Sequence, residues 1–404
     1  MKLKPALKSL FAACVLGTAL TTSAIAADPI KVGVVVAKSP PGSVVQGTQV
    51  IHGLEIAQQI INSAGGVNGR KIELVIEDDQ GTPEKGRAAA EKLVGRDKVV
   101  AITGPHASGV ALGMIESLRS TGVPFLNTNA WSDDIRIKAV PNVFNPNNYN
   151  TRVVQAMAET IVAMKVKKVR GFPENTDYGI GQAELLKTTL KSMAPEIDFS
   201  YSAIDRAGKD FLPAVISLKR DQPDMVVTML LPPAAYIFMN QLYEQGVAPS
   251  KKTILFDGAG IADYPDFWQN VKEAGKNMLS FGLYHPSMKL TPIGNRVTTM
   301  YREKHKTEPN RLIYQAADSL FLIAESVKKS GSTDQAKMVA ALKDMKFEGT
   351  RGTIVFSKEP GFKFQQWLDV PYVIYQLTET NQKLAESPLI LQPGLPVDLT
   401  KLKR

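Results

Sequence analysis

The stretch Ile30 to Val36, IKVGVVV, is a nearly continuous apolar run, which fits a strand buried on both faces of a parallel sheet better than a strand with one face in water. After a loop from Lys38 to Gly47, the residues Val50, Leu54, Ala57 and Ile61 recur at helical spacing until Asn62-Ser63-Ala64-Gly65-Gly66 stops the helix. Ile72, Leu74 and Ile76 alternate as a second strand ended by Asp78-Asp79. A helix around Glu84 to Val94 and a strand from Val99 to Ile102 complete a β-α-β-α-β series, the pattern of a parallel sheet covered by helices.

The pattern restarts after a Pro/Asn-rich connection at Phe144 to Asn150. Helices are predicted over Val153 to Met164, Gly181 to Met193, Leu212 to Lys219 and Ala235 to Gln245, alternating with strands at Val166 to Phe172, Asp198 to Ala203, Met225 to Met229 and Thr253 to Phe256. Two α/β units of similar size with a cleft between them is the arrangement this implies. Later elements are a short strand near Met278 to Tyr284, helices at Pro292 to His305, Leu312 to Lys329 and Thr333 to Met345, and strands at Gly352 to Phe356 and Val373 to Leu377. They must return to one unit or the other, so the chain is expected to cross between units more than once.

At the N-terminus, Lys2, Lys4 and Lys8 precede the apolar run Leu10 to Leu20, and Ser23-Ala24-Ile25-Ala26 offers a small-residue cleavage site. This reads as a secretory signal peptide over 1–26, with a lipoprotein box ending at Cys14 as the competing reading. Cys14 is the chain's single cysteine, so removal of the signal leaves no disulfide and no thiolate metal site, which suits an exported protein folded by its core alone. The formal net charge is +9. Its basic residues are scattered without interleaved aromatics, which fits a solvated surface rather than a nucleic-acid footprint.

The stretch Val99 to Ile135 carries the chemistry. It reads as strand, polar turn, helix, strand, polar turn, with Ser108 at the start of the helix, where unpaired amides and the positive end of the helix dipole favour an anion. A small carboxylate is the ligand such a turn suits, and a plain helix cap is the structural alternative. The histidines, His52, His106, His285 and His305, fall in no metal-ligand spacing, there is no G-x-S-x-G, and Gly81 to Arg87 lacks the Lys-Ser/Thr end of a phosphate loop. His106 beside Ser108 leaves a secreted α/β hydrolase as a reading of another class.

Gly47, Gly53, Ala57, the block Ile61-Asn62-Ser63-Ala64-Gly65-Gly66-Val67-Asn68-Gly69-Arg70-Lys71 and then Asp78-Asp79 resemble the leucine/isoleucine/valine-binding family of periplasmic solute receptors. Asp177-Tyr178-Gly179, Gly208-Lys209-Asp210-Phe211 with Leu218-Lys219, and Ser330-Gly331-Ser332 leading to Gly352 extend the resemblance over the mature chain. It implies a type I periplasmic binding fold: two Rossmann-like lobes with parallel sheets, joined by three hinge crossings and closing on a solute. One lobe would take 27–147 plus 284–355, the other 148–283 plus 356–404. The implied protein is a periplasmic monomer, not an enzyme, without cofactor or metal, whose partners are a small solute and an inner-membrane ABC permease.

By that resemblance Ser108 holds the ligand carboxylate, Ala130 contacts the ligand through its backbone, and Tyr178 covers it from the other lobe. Trp131 stands where many relatives place threonine, so an indole replaces a hydroxyl, and Leu231 offers an apolar wall. Amino-acid receptors in the family place a carboxylate at the position of Ala259 to pair with the ligand ammonium. Either Asp257, two residues away, takes that part, or the ligand is an amine-free aromatic or aliphatic carboxylate or amide.

Overall fold

The computed structural model describes residues 28–403; the expected signal peptide, with Cys14, lies outside the described residues. Strand β1 (Ile30–Val36) occupies the apolar run and pairs in parallel with β2 (Ile72–Asp78) on one side and β3 (Ala101–Thr103) on the other. Its alternate side chains go to opposite faces, as two-sided burial requires. Val32, Val34 and Val36 join a core with Val50, Leu54 and Ala57, while Val35 packs with Ala89, Leu93, Val110 and Met114. The covering helices α1 (Val44–Ser63), α2 (Pro83–Gly95) and α3 (Ser108–Leu118) follow these strands. The sheet is completed by β4 (Phe125–Leu126) and, after the short α4 (Asp134–Ile137), by β5 (Val143–Phe144), in the order β2-β1-β3-β4-β5.

The second unit begins at α5 (Asn150–Ala163) and alternates β6 (Lys168–Pro173), α6 (Asp177–Met193), β7 (Asp198–Tyr201), α7 (Leu212–Asp221), β8 (Met225–Met229), α8 (Ala234–Glu244), β9 (Ile254–Asp257), α9 (Phe267–Val271) and β10 (Leu279–Gly282). The chain then returns to the first sheet, where α10 (Pro292–His305) and α11 (Arg311–Ser330) pack on α1, with α12 (Gln335–Lys343) and the hairpin β11 (Lys346–Gly349) and β12 (Gly352–Val355) beyond. A last crossing places β13 (Val373–Gln376) and β14 (Leu389–Leu391) in the second sheet, whose order is β14-β13-β10-β9-β8-β6-β7.

Two features differ from the sequence-based expectation. Strands β13 and β14 run antiparallel, so the second sheet is mixed at one edge. The predicted strand at Gly352 to Phe356 pairs with β11 over Gly352–Val355 and joins neither main sheet. Where the chain passes between units, isolated bridges join Asn145 to Gln366 and Phe356 to Trp367. Arg136 is buried beside these passages and donates to Gln366 Oε1 at 2.7 Å, Asn147 Oδ1 at 2.8 Å and the carbonyls of Ser132 and Asn148, both at 2.8 Å. One guanidinium therefore ties the loop after β4 to two of the three crossings, and burial pulls its pKa down to about 10 while Asp133 resists that shift.

Candidate functional site

In the first sheet the strand order reverses between β1 and β3, and in the second between β6 and β8. Ligands in open α/β sheets bind outside the carboxyl ends of strands at such switch points, because loops diverge there and leave a crevice. The two crevices face each other across a cavity of about 240 Å³. The first unit contributes Gly81 and Pro83 after β2, His106 to Val110 after β3, Asn129 and Trp131 after β4, and Arg311 from the start of α11. The second contributes Glu174 to Tyr178 after β6, Arg206 after β7, Leu231 after β8, and Ala259 and Tyr264 after β9.

Ser108 is buried as the first residue of α3, and its hydroxyl does not cap that helix. It accepts the Ser132 N–H at 3.1 Å, which leaves its own proton to donate. The first helical bond runs from Ala111 N–H to the Ala107 carbonyl at 3.1 Å, so the amides of Ser108, Gly109 and Val110 precede it and edge the cavity unpaired by the helix. A hydroxyl proton and helix N-terminal amides converge there on one acceptor position. His106 makes no hydrogen bond to Ser108, and its Nδ1 has no partner. Burial, and then the charge of Arg206, pull its pKa down to about 3, so it is a neutral ring at ordinary pH.

Trp131 is buried and donates its indole N–H to Asn129 Oδ1 at 2.9 Å. Its ring meets Tyr178 edge-on, centroids 6.0 Å apart at 77°, so the two aromatic walls come from opposite units. The Tyr178 hydroxyl is buried without a partner. Leu231 lies on the same wall, and its amide donates to Glu174 Oε2 at 3.1 Å.

Ala130 and Asp257 do not line the cavity. The Ala130 amide donates to Asn127 Oδ1 at 2.9 Å and its carbonyl accepts from Asn127 Nδ2 at 2.8 Å, so both backbone groups serve the loop itself. Asp257 is fully buried and accepts from the amides of Ala259, Gly260 and Ile261 at 2.9, 3.2 and 2.8 Å and from Ser280 Oγ at 2.7 Å. Its carboxylate folds the loop that carries Ala259 and has no oxygen left for a ligand. Ala259, in contrast, does edge the cavity.

Arg311, Arg206, Glu174 and Tyr264 line the cavity without having been singled out in the sequence. Arg311 is 1 % exposed. Its guanidinium, reaching from the first unit, bonds Asp263 and the Gly260 carbonyl of the second and donates to the Tyr264 hydroxyl at 2.7 Å. It lies 4.7 Å from the Tyr264 ring centre and 5.7 Å from that of Trp131. Burial opposes its charge, and Asp263 with Tyr264 outweighs that, so it stays protonated. The legible signal was positional: Glu174 and Arg206 follow strand ends, and Arg311 opens a helix. Among the described residues no group of three or more His, Cys, Asp or Glu side chains is placed to hold a metal ion, and no helix is long and apolar enough to cross a membrane.

Residues 29–381 match a family model described as periplasmic binding protein. A Leu/Ile/Val-binding protein homolog 3 of Brucella melitensis is 28% identical over 368 residues, covering 86% of this chain and 93% of the relative. Among solved structures, the branched-chain amino acid transporter substrate binding protein LivJ of Streptococcus pneumoniae, in complex with isoleucine, superposes with a TM-score of 0.78 at 23% identity, covering 90% of this chain and 100% of that one. An ABC transporter solute binding protein of R. palustris, in complex with benzoate, gives 0.75 at 21% identity, covering 92% and 100%.

Proposed function

The chain belongs to the periplasmic binding protein family, and from that premise we propose that it is the solute receptor of an ABC importer of the branched-chain amino-acid type. It captures a small carboxylate-bearing solute between its lobes and delivers it to an inner-membrane permease. In this reading the chain works in the periplasm as a monomer after loss of residues 1–26, and it binds without turnover. The lobes are 27–147 with 284–355 and 148–283 with 356–404.

One observation carries the reading: a cavity walled by both units, with the N-terminus of α3 and the Ser108 hydroxyl on one wall and Tyr178 on the other. The solutes named for the two solved relatives, isoleucine and benzoate, share the carboxylate, the group that such a turn suits. Closure follows because a solute that touches both walls stabilises the closed state by its contacts to each. Calorimetric titration with small carboxylates tests it. A saturable one-to-one isotherm that weakens in Ser108→Ala supports the reading. Hydrolysis of an ester that Ser108→Ala abolishes would replace it with the hydrolase.

A further inference from the structure

The buried carboxylates around the cavity each already accept at least two hydrogen bonds. Asp263 takes the Arg311 guanidinium on one oxygen and the Arg311 amide, at 3.2 Å, on the other. Glu174 accepts from Thr176 Oγ1 at 2.8 Å and from the Leu231 amide at 3.1 Å. Asp257 holds four donors of its own loop and its neighbour strand. Asp177, the remaining acid on the lining, is exposed at the mouth.

The donors are in the opposite condition. Arg311 Nε and the Tyr178 hydroxyl are buried and have no partner, and both residues line the cavity; the hydroxyl can donate or accept. His106 Nδ1, able to donate or accept, is likewise unpaired. Arg206 brings a second guanidinium to the lining from the other unit. Buried polar groups are normally satisfied, so this surplus of donors calls for an occupant rich in acceptors. An ammonium would meet two guanidiniums, and the one buried carboxylate on the lining, Glu174, already holds two donors and feels the charge of Arg206; a buried cation without a partner is strongly disfavoured.

We infer that Arg311 makes this receptor selective for carboxylates that carry no amino group. The inference rests on the reading of the chain as a carboxylate receptor and adds the class of solute to it. Arg311 is suited to the part because both units hold it: it arises from α11 beside the first sheet, and its partners Asp263, Tyr264 and the Gly260 carbonyl lie after β9 in the second. Its guanidinium carbon lies near the Trp131 and Tyr264 rings, and Nε is its one nitrogen without a partner.

The test is titration of the purified mature chain, stripped of co-purified solute, with two matched pairs: leucine against 4-methylpentanoate, and phenylalanine against 3-phenylpropanoate. The expected result is that at least one des-amino acid binds about ten-fold or more tightly than its amino-acid partner. Arg311→Gln narrows that gap, whereas Arg311→Lys, which keeps the charge, retains it. An amino acid that binds as tightly as its des-amino partner overturns the inference and leaves the receptor reading in place. Binding by none of the four, nor by benzoate, overturns both. The comparison within the unmodified protein decides the matter if Arg311→Gln does not fold.

Discussion

The Ser108 hydroxyl accepts from Ser132 N–H and keeps a proton to give, so it adds a directed bond to the amides of α3 at the point where a carboxylate would rest. Ser108→Ala is expected to weaken binding of a carboxylate by about 1.5 to 3 kcal/mol, the range for a hydrogen bond to a charged group, and to lower the melting temperature of the free protein modestly, because the buried Ser132 N–H loses its acceptor; calorimetry and a melting curve check the two halves. His106 offers a test in pH. Its folded pKa lies near 3 and its unfolded value near 6.5, so between these values the unfolded chain binds a proton that the folded chain does not. Stability attributable to His106 therefore falls as pH drops below about 6, by up to about 1.4 kcal/mol per pH unit. Denaturant melts of the protein and of His106→Asn from pH 7 to pH 4 should diverge with that slope. Other groups titrate alike in both, so their difference isolates His106. At this scale the start of a helix pointed to Ser108, and the family resemblance pointed to Trp131 and Tyr178. The sequence hid Arg136 and Arg311, because an arginine reads as a surface residue until its partners are known, and the partners of Arg311 lie some fifty positions earlier in the chain.

Helices and parallel strands were legible because two-sided burial leaves apolar runs and helical faces leave a 3.6 period. Strand partners were not. Val373–Gln376 reads as a strand in isolation, yet its antiparallel pairing with β10 depends on the last crossing, which no local period records. Close helix approach is another element property, and Gly53 shows its energetic sign. In an isolated helix Gly→Ala gains about 1 kcal/mol. Here a Cβ on Gly53 of α1 would stand 2.5 Å from the Ile313 carbonyl oxygen and 2.9 Å from Ala316 Cβ on α11, so backbone must yield. Gly53→Ala is expected to destabilise the protein by about 1 to 3 kcal/mol despite its better propensity. A denaturant melt gives the sign directly. A stabilised variant would mean that α1 and α11 separate without loss.

At the scale of the whole molecule the question is what holds the two units against each other. Arg311 and Asp263 form a buried pair between them, and Gln46 of α1 meets the Tyr264 hydroxyl beside it. Both pairs join the first unit to the loop after β9, so a separation of the units that opens the cavity would break them. Removing one partner of a buried ion pair leaves the other charge uncompensated, and Asp263→Asn places that loss on the closed state alone, since in an open state Arg311 can reach water. The apparent affinity of a solute that binds only the closed state scales with the closed fraction. A penalty of about 2 kcal/mol on closure would therefore raise Kd about 30-fold, although Asp263 touches no position assigned to the solute carboxylate. Small-angle scattering separates this from damage to the cavity. The radius of gyration at saturating solute should reach the same compact value in Asp263→Asn as in the unmodified protein, at a higher solute concentration. An unchanged Kd would place the pair outside the closure equilibrium, and a failure to compact at saturation would show that the variant has lost the cavity itself.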